Sequence, residues 1–186
     1  MKKSILLLFL ISMAFVSCET DEIQTVTENQ ELLLQDRSRE DFRCETAFAY
    51  FKDGCFLEDG FNRWGWVIGP LKEGFEDEFD IYQGAGQCDL SKGQLIGSLS
   101  VKYFKKGEVE IIYRVNPGYE FFETHLYVGN EKYPTLNNGN PTVAPGKYTA
   151  QHSYPEGELK DYYEFDKISG NIYIIAHAVV CLNNNK

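Results

Sequence analysis

The chain has little positive charge: its 186 residues include 18 lysines and arginines against 28 aspartates and glutamates. Nucleic-acid surfaces need clustered basic side chains that neutralise phosphates, so we expect no nucleic-acid partner. The same deficit disfavours adhesion to anionic lipid through side-chain charge. If the protein contacts a membrane, something other than its surface charge must provide the contact.

Motifs for catalysis or cofactor binding are also missing. Residues 97–100 (GSLS) do not form a nucleophile elbow, and the glycine-rich segment 84–93 lacks the Gly-Lys-Ser/Thr of a phosphate loop. The acidic run 76–80 lacks the glycine and alternation of a calcium loop, which favours a solvated strand face. We predict no catalytic residue, no cofactor and no metal. A carboxylate pair for glycoside hydrolysis stays open, because only its separation in space defines it.

The first eighteen residues indicate export. Lys2 and Lys3 precede an apolar run over 5–16, which ends at Ser17 and Cys18. The run is too short for a stable membrane span and has no stop-transfer pattern after it, as in a secretory signal. It resembles a bacterial lipoprotein signal, which implies cleavage before Cys18 and acylation of its thiol. The loose pattern before the cysteine resembles that of Bacteroidetes lipoproteins.

We therefore divide the chain into a signal peptide (1–17), a lipidated acidic tether (18–43) and a β domain (44–186). The mature chain keeps 16 basic and 28 acidic residues, a net charge of −12. The acidic cluster within 19–22 resembles a signal for display on the outer face of the outer membrane; an ordinary solvated linker is the alternative. The expected location is the outer membrane, anchored by lipid and facing outward.

Four cysteines remain once Cys18 is assigned to lipid, an even number in an exported chain. Export favours disulfides, and none of the spacings fits a zinc site. Of the three possible pairings we favour Cys44–Cys181, which joins the first strand to the last, and Cys55–Cys88, which ties two loops. Four buried free thiols are the alternative.

The pattern from residue 44 onward predicts strands. Alternating or β-branched runs are separated by turns such as Asn116-Pro117-Gly118 at spacings near ten residues, which favours an antiparallel β-sandwich, Ig-like or jelly-roll-like. Residues 129–146 predict a long exposed loop. The predicted strands are 45–51, 64–68, 76–83, 95–104, 108–115, 119–128, near 147–152, 160–166 and 171–181.

Six phrases in this order resemble an extracellular β-rich domain of Bacteroidetes surface proteins, over roughly residues 44–181. The resemblance implies a surface location and a β fold, and it implies no particular activity. The phrases are ETAFA (45–49), GFNRWGW (60–66), GAGQCDLSKG (84–93), ETHLYVG (123–129), APGKY (144–148) and AHAVV (176–180).

A candidate ligand-binding site lies at Asn62, Arg63, Trp64 and Trp66. Residues two apart in a strand share a face, so both indoles are expected on one side unless Gly65 breaks the alternation. Exposed planar rings stack on sugars, and the neighbouring amide and guanidinium offer polar contacts. The alternative is that the indoles fill the core, which we favour for at least one of them.

His125 and His177 fall within predicted strands. Facing one another, they and Glu45 or Glu123 suffice for a metal site. We favour the alternative, in which both histidines are hydrogen-bonded within or beside the core.

These observations favour a surface-anchored lipoprotein whose β-sandwich is a non-catalytic binding or adhesion module, with glycans or a surface protein as ligand. Two alternatives stay open. One is a glycan hydrolase with a carboxylate pair, and the other is a structural subunit of a surface complex. A flat exposed aromatic platform would support glycan binding, a deep cleft with facing acids would support hydrolysis, and a broad apolar patch would support a protein partner.

Overall fold

The structure, a computed structural model, describes residues 43–183. The predicted signal peptide, Cys18 and nearly all of the tether lie outside these residues. Within the described part, no helix is long and apolar enough to cross a membrane.

The fold is all-β and antiparallel, as the sequence predicts. In residues 43–183 the only helices are 3-10 turns of three or four residues. The strands are β1 (Arg43–Ala49), β2 (Ile68–Leu71), β3 (Phe75–Gln83), β4 (Gln94–Tyr103), β5 (Val109–Val115), β6 (Tyr119–Gly129), β7 (Ala150–Glu158), β8 (Lys160–Phe165) and β9 (Ile172–Leu182).

The strands form one sheet in the order β7-β6-β9-β1-β3-β4-β5-β8, and β2 pairs with β9. The packing is sandwich-like and close to a barrel, because the sheet folds back on itself. Asp161 on β8 accepts hydrogen bonds from Tyr154 on β7 (2.6 Å) and Thr124 on β6, and its Oδ1 lies 2.9 Å from Nδ1 of His152. These side chains join the two ends of the sheet order.

One face of the sheet encloses the main core. Alternate residues on β4, such as Leu99 and Val101, are buried, and so are Ile174 and Ala176 on β9. This two-residue period is what strand geometry imposes on a sheet with one apolar face. Burial of these side chains is the main favourable term for the fold.

A second apolar cluster lies on the other face of β1, β9 and β6, beneath three loops. We name them the first loop (50–67), the second loop (84–93) and the third loop (130–149). The third loop is not simply exposed, as the sequence analysis expected, because its Tyr133 and Val143 are buried in this cluster.

The strand predicted at 64–68 is wrong apart from its last residue. Gly65 has φ of 141°, and a Cβ there would lie 2.5 Å from the ring of Phe56. The chain therefore bends across Phe56, Trp66 forms a single bridge to Cys55, and regular pairing starts only at Ile68.

The four cysteines form the two favoured pairs. Cys44 and Cys181 face each other in the β1–β9 register and are bonded. Cys55 and Cys88 are also bonded, and this pair joins the first loop to the second.

Candidate functional site

The three loops leave a cleft of about 690 Å³ open above the outer face of β1, β9 and β6. Its floor consists of two cross-strand rows. In one row Phe48, His177 and His125 are direct partners on the three adjacent strands, and in the next Thr46 and Glu123 flank Val179. The central row is continuous, since the Phe48 and His177 ring centres are 4.8 Å apart and those of His177 and His125 5.2 Å.

The two histidines are held in neutral form. Their Nδ1 atoms lie 3.2 Å apart, so one ring donates a hydrogen bond to the other. Burial lowers the pKa of His177 to about 3, with the positive charge of His125 as a second cause. Burial also lowers the pKa of His125, and the carboxylate of Glu123 partly opposes that change. At neutral pH the floor is therefore a row of uncharged rings.

The first loop supplies one wall through Leu57, Asn62, Arg63 and Trp64. It is anchored by Phe56, which is fully buried beneath it and meets Phe48 edge-on at 5.6 Å. The wall thus rests on the same aromatic row that forms the floor.

The two tryptophans have different environments. Trp66 is 1% exposed and packs in the second cluster, whereas Trp64 is partly exposed and lines the cleft. Gly65 interrupts the strand, the exception expected from the sequence, so the two indoles differ in burial although their rings still meet edge-on at 5.8 Å. The structure places Trp66 in the core and leaves Trp64, Asn62 and Arg63 at the cleft.

The third loop forms the opposite wall with Val143 and Pro145. It is latched to the first loop by Asp59, whose Oδ2 accepts hydrogen bonds from Tyr133 (2.5 Å) and Lys132 (2.6 Å). These bonds lower the pKa of Asp59. These two hydrogen bonds hold the third loop against the first loop.

The second loop closes one end of the cleft with Gly86 and Gln87. Asp89 accepts a hydrogen bond from the backbone of Ser91 at 3.0 Å, which forms an Asx turn. The Cys55–Cys88 bond places Gln87 beside the first loop.

The candidate metal ligands do not converge. Glu123 Oε2 lies 3.9 Å from Nε2 of His125, on the side of the ring away from His177, and Glu45 Oε2 lies beside Gly84. In residues 43–183 no group of three metal-ligating side chains is found.

Sequence reasoning named Asn62, Arg63 and Trp64, which line the cleft. It also favoured His125 and His177 as hydrogen-bonded residues within or beside the core, which the structure confirms, but it did not place them on the floor of a cleft. One signal was available. The favoured Cys55–Cys88 pair already brings Gln87 to the Trp64 loop. The floor itself depends on strand register, which the sequence does not supply.

Comparison of the chain with known protein families, with characterised proteins and with solved structures finds no match.

Proposed function

We propose that this protein is an exported lipoprotein, anchored through Cys18 and facing outward, whose β domain binds glycans in the cleft. The observation that carries the proposal is the partly exposed Trp64, set beside Asn62 and Arg63 over a floor of uncharged rings. A cleft of this size, mostly apolar with a few convergent polar groups, is typical of small-ligand sites.

The composition of the cleft favours binding over hydrolysis. Of residues 43–183, Glu123 is the single carboxylate that lines the cleft, and the two-carboxylate mechanism needs a second acid across the scissile bond. The structural-subunit alternative rests on a broad apolar patch, and no observation within residues 43–183 specifically favours one; the large exposed apolar side chains there come from several parts of the chain: Leu57, Leu95, Phe104, Leu159 and Tyr162.

The test is a glycan array probed with the purified full chain and with Trp64→Ala. Trp64 is partly exposed but also meets Phe48 edge-on at 5.1 Å. We therefore expect Trp64→Ala to weaken binding at least about tenfold and to lower the melting temperature by less than truncation of the fully buried Trp66 does. Trp64→Phe keeps a stacking ring and should lose less. Tyr162→Ala removes an exposed aromatic ring on β8, which does not line the cleft, and serves as the matched control. Full binding by Trp64→Ala would refute this site.

Anchoring is tested separately with Cys18→Ala. Without acyl chains, an acidic protein has little affinity for a membrane, so the variant should be unprocessed or released. Normal processing and membrane fractionation of the variant would refute the lipoprotein assignment.

A further inference from the structure

The cleft adjoins a second depression. A smaller pocket of about 240 Å³ is lined by the first loop at 61–63 and the third loop at 141–144. The two spaces share Asn62, Arg63 and Val143. Arg63 therefore lies where one space meets the other, and a ligand longer than one ring can extend past it.

The guanidinium of Arg63 is available to a ligand. The residue is exposed, and within residues 43–183 no ion pair or hydrogen bond is made by its side chain. Arg63 is close enough to Tyr148 to influence it electrostatically, and the Tyr148 hydroxyl already donates a hydrogen bond to the carbonyl of Val143 at 3.1 Å. A guanidinium offers a planar fork of donors that matches carboxylate and sulfate groups.

Among the described residues, Arg63 is the one lysine or arginine that lines either space. The histidines of the floor are neutral, and Glu123 is adjacent to His125 on the floor. The rest of the domain is acidic, so its surface repels a polyanion. An acidic ligand therefore has one place in these two spaces where its charge is favoured.

We propose that the ligand is an acidic oligosaccharide, with one ring stacked on Trp64 and a carboxylate or sulfate group bound by Arg63 at the junction of the two spaces. This inference rests on the proposed function, because it assumes that the cleft binds glycans.

The experiment uses the full chain and matched pairs of probes. A galacturonic acid hexamer is compared with its methyl ester, and a sulfated galactan oligomer with its desulfated form. We expect the charged member of at least one pair to bind at least about tenfold more tightly, and which pair responds identifies the anionic group. The preference should weaken at high salt.

Arg63→Gln should remove that preference and leave the methyl ester or desulfated oligomer unaffected. Arg63→Lys keeps the charge but not the fork, so it should recover part of the affinity. Lys160→Gln removes one positive charge on β8, away from the cleft, and should change nothing.

The outcomes separate the two proposals. If neutral glycans bind, depend on Trp64 and are indifferent to Arg63→Gln, the acidic ligand is refuted and the glycan site stands. A charge preference that survives Arg63→Gln also refutes the inference. If no probe and no glycan on the array binds, both proposals fail.

Discussion

The two halves of the outer sheet surface differ in polarity and in exposure to solvent. On β3, β4, β5 and β8 the outer face is a solvated ladder, in which Lys102 lies between Glu76 and Glu110 in the strand register and contacts Glu76 at 2.7 Å. On β1, β9 and β6 the outer face carries Phe48 and His177 and is covered by loops. The same sheet thus presents an ordinary polar surface on one half and a second core with a cleft on the other.

The three loops act as a packing layer over the apolar half of the sheet. Their buried aromatic residues cover the apolar half of the outer face, and the cleft is the part of that face that they leave open. Substitutions on the covered half should therefore change both stability and ligand binding, whereas substitutions on the solvated half should change neither by much. Four experiments address this difference.

The largest contrast should come from aromatic truncation on each half. Trp66→Ala empties a buried site in the second cluster and should lower the free energy of unfolding by about 3–5 kcal/mol. Tyr162→Ala removes a ring that is 42% exposed on the solvated half and should cost less than about 1 kcal/mol. Denaturant unfolding measures both. Equal losses would show that the covered half is no more a core than the solvated one.

Removal of the loop disulfide should have the next largest effect. With Cys55→Ala and Cys88→Ala together, the chain-entropy treatment of the 33-residue separation predicts a loss of about 3–4 kcal/mol. Hydrogen exchange should increase in the first and second loops and stay unchanged in β4 and β5. Uniform loss of protection across the sheet would contradict a separate loop layer.

Acid should destabilise the covered half through His177. Its pKa is about 3 when folded and near 6.5 when unfolded, so the unfolded state binds the extra proton between these values. The His177 contribution to the free energy of unfolding is complete above pH 6.5, and that free energy should fall by roughly 2–3 kcal/mol as the pH drops to 4.5. Asp161 does not interfere in this range, because its pKa is lowered below its ordinary value.

His177→Gln lacks this group, so its unfolding free energy should vary much less with pH over the same range. His125, whose pKa burial lowers and the carboxylate of Glu123 partly restores, contributes to the dependence that remains in that variant. Parallel pH profiles for the two proteins would contradict the buried neutral state of His177.

The smallest effect concerns one ion pair on each half. Asp59→Ala removes the acceptor of two hydrogen bonds that latch the first and third loops and should cost about 1 kcal/mol. Glu76→Ala breaks an exposed pair with Lys102 and should cost about 0.5 kcal/mol or less. Glycan binding should weaken only in Asp59→Ala; a loss in Glu76→Ala would argue against the cleft as the site.

Much of the fold was predictable because strand alternation records which face is buried. Val109, Ile111 and Tyr113 alternate with Glu110 and Arg114, and the structure buries the first three. The failure at 64–68 has a local reason. Aromatic and β-branched residues favour a strand there, but the backbone has a positive φ at Gly65 and passes too close to Phe56 for any Cβ, so the strand is interrupted.

Local pattern and residue type were enough to predict the all-β class and the candidate residues Asn62, Arg63 and Trp64. The sequence favoured the two disulfide pairs but left other pairings open, because the partners are joined by the fold. Tertiary structure decided that Trp66 is core and Trp64 is not, that His125 and His177 share one row with Phe48, and that three loops surround it. Those facts depend on strand register and loop packing, which bring together residues more than a hundred positions apart and leave no local trace in the chain.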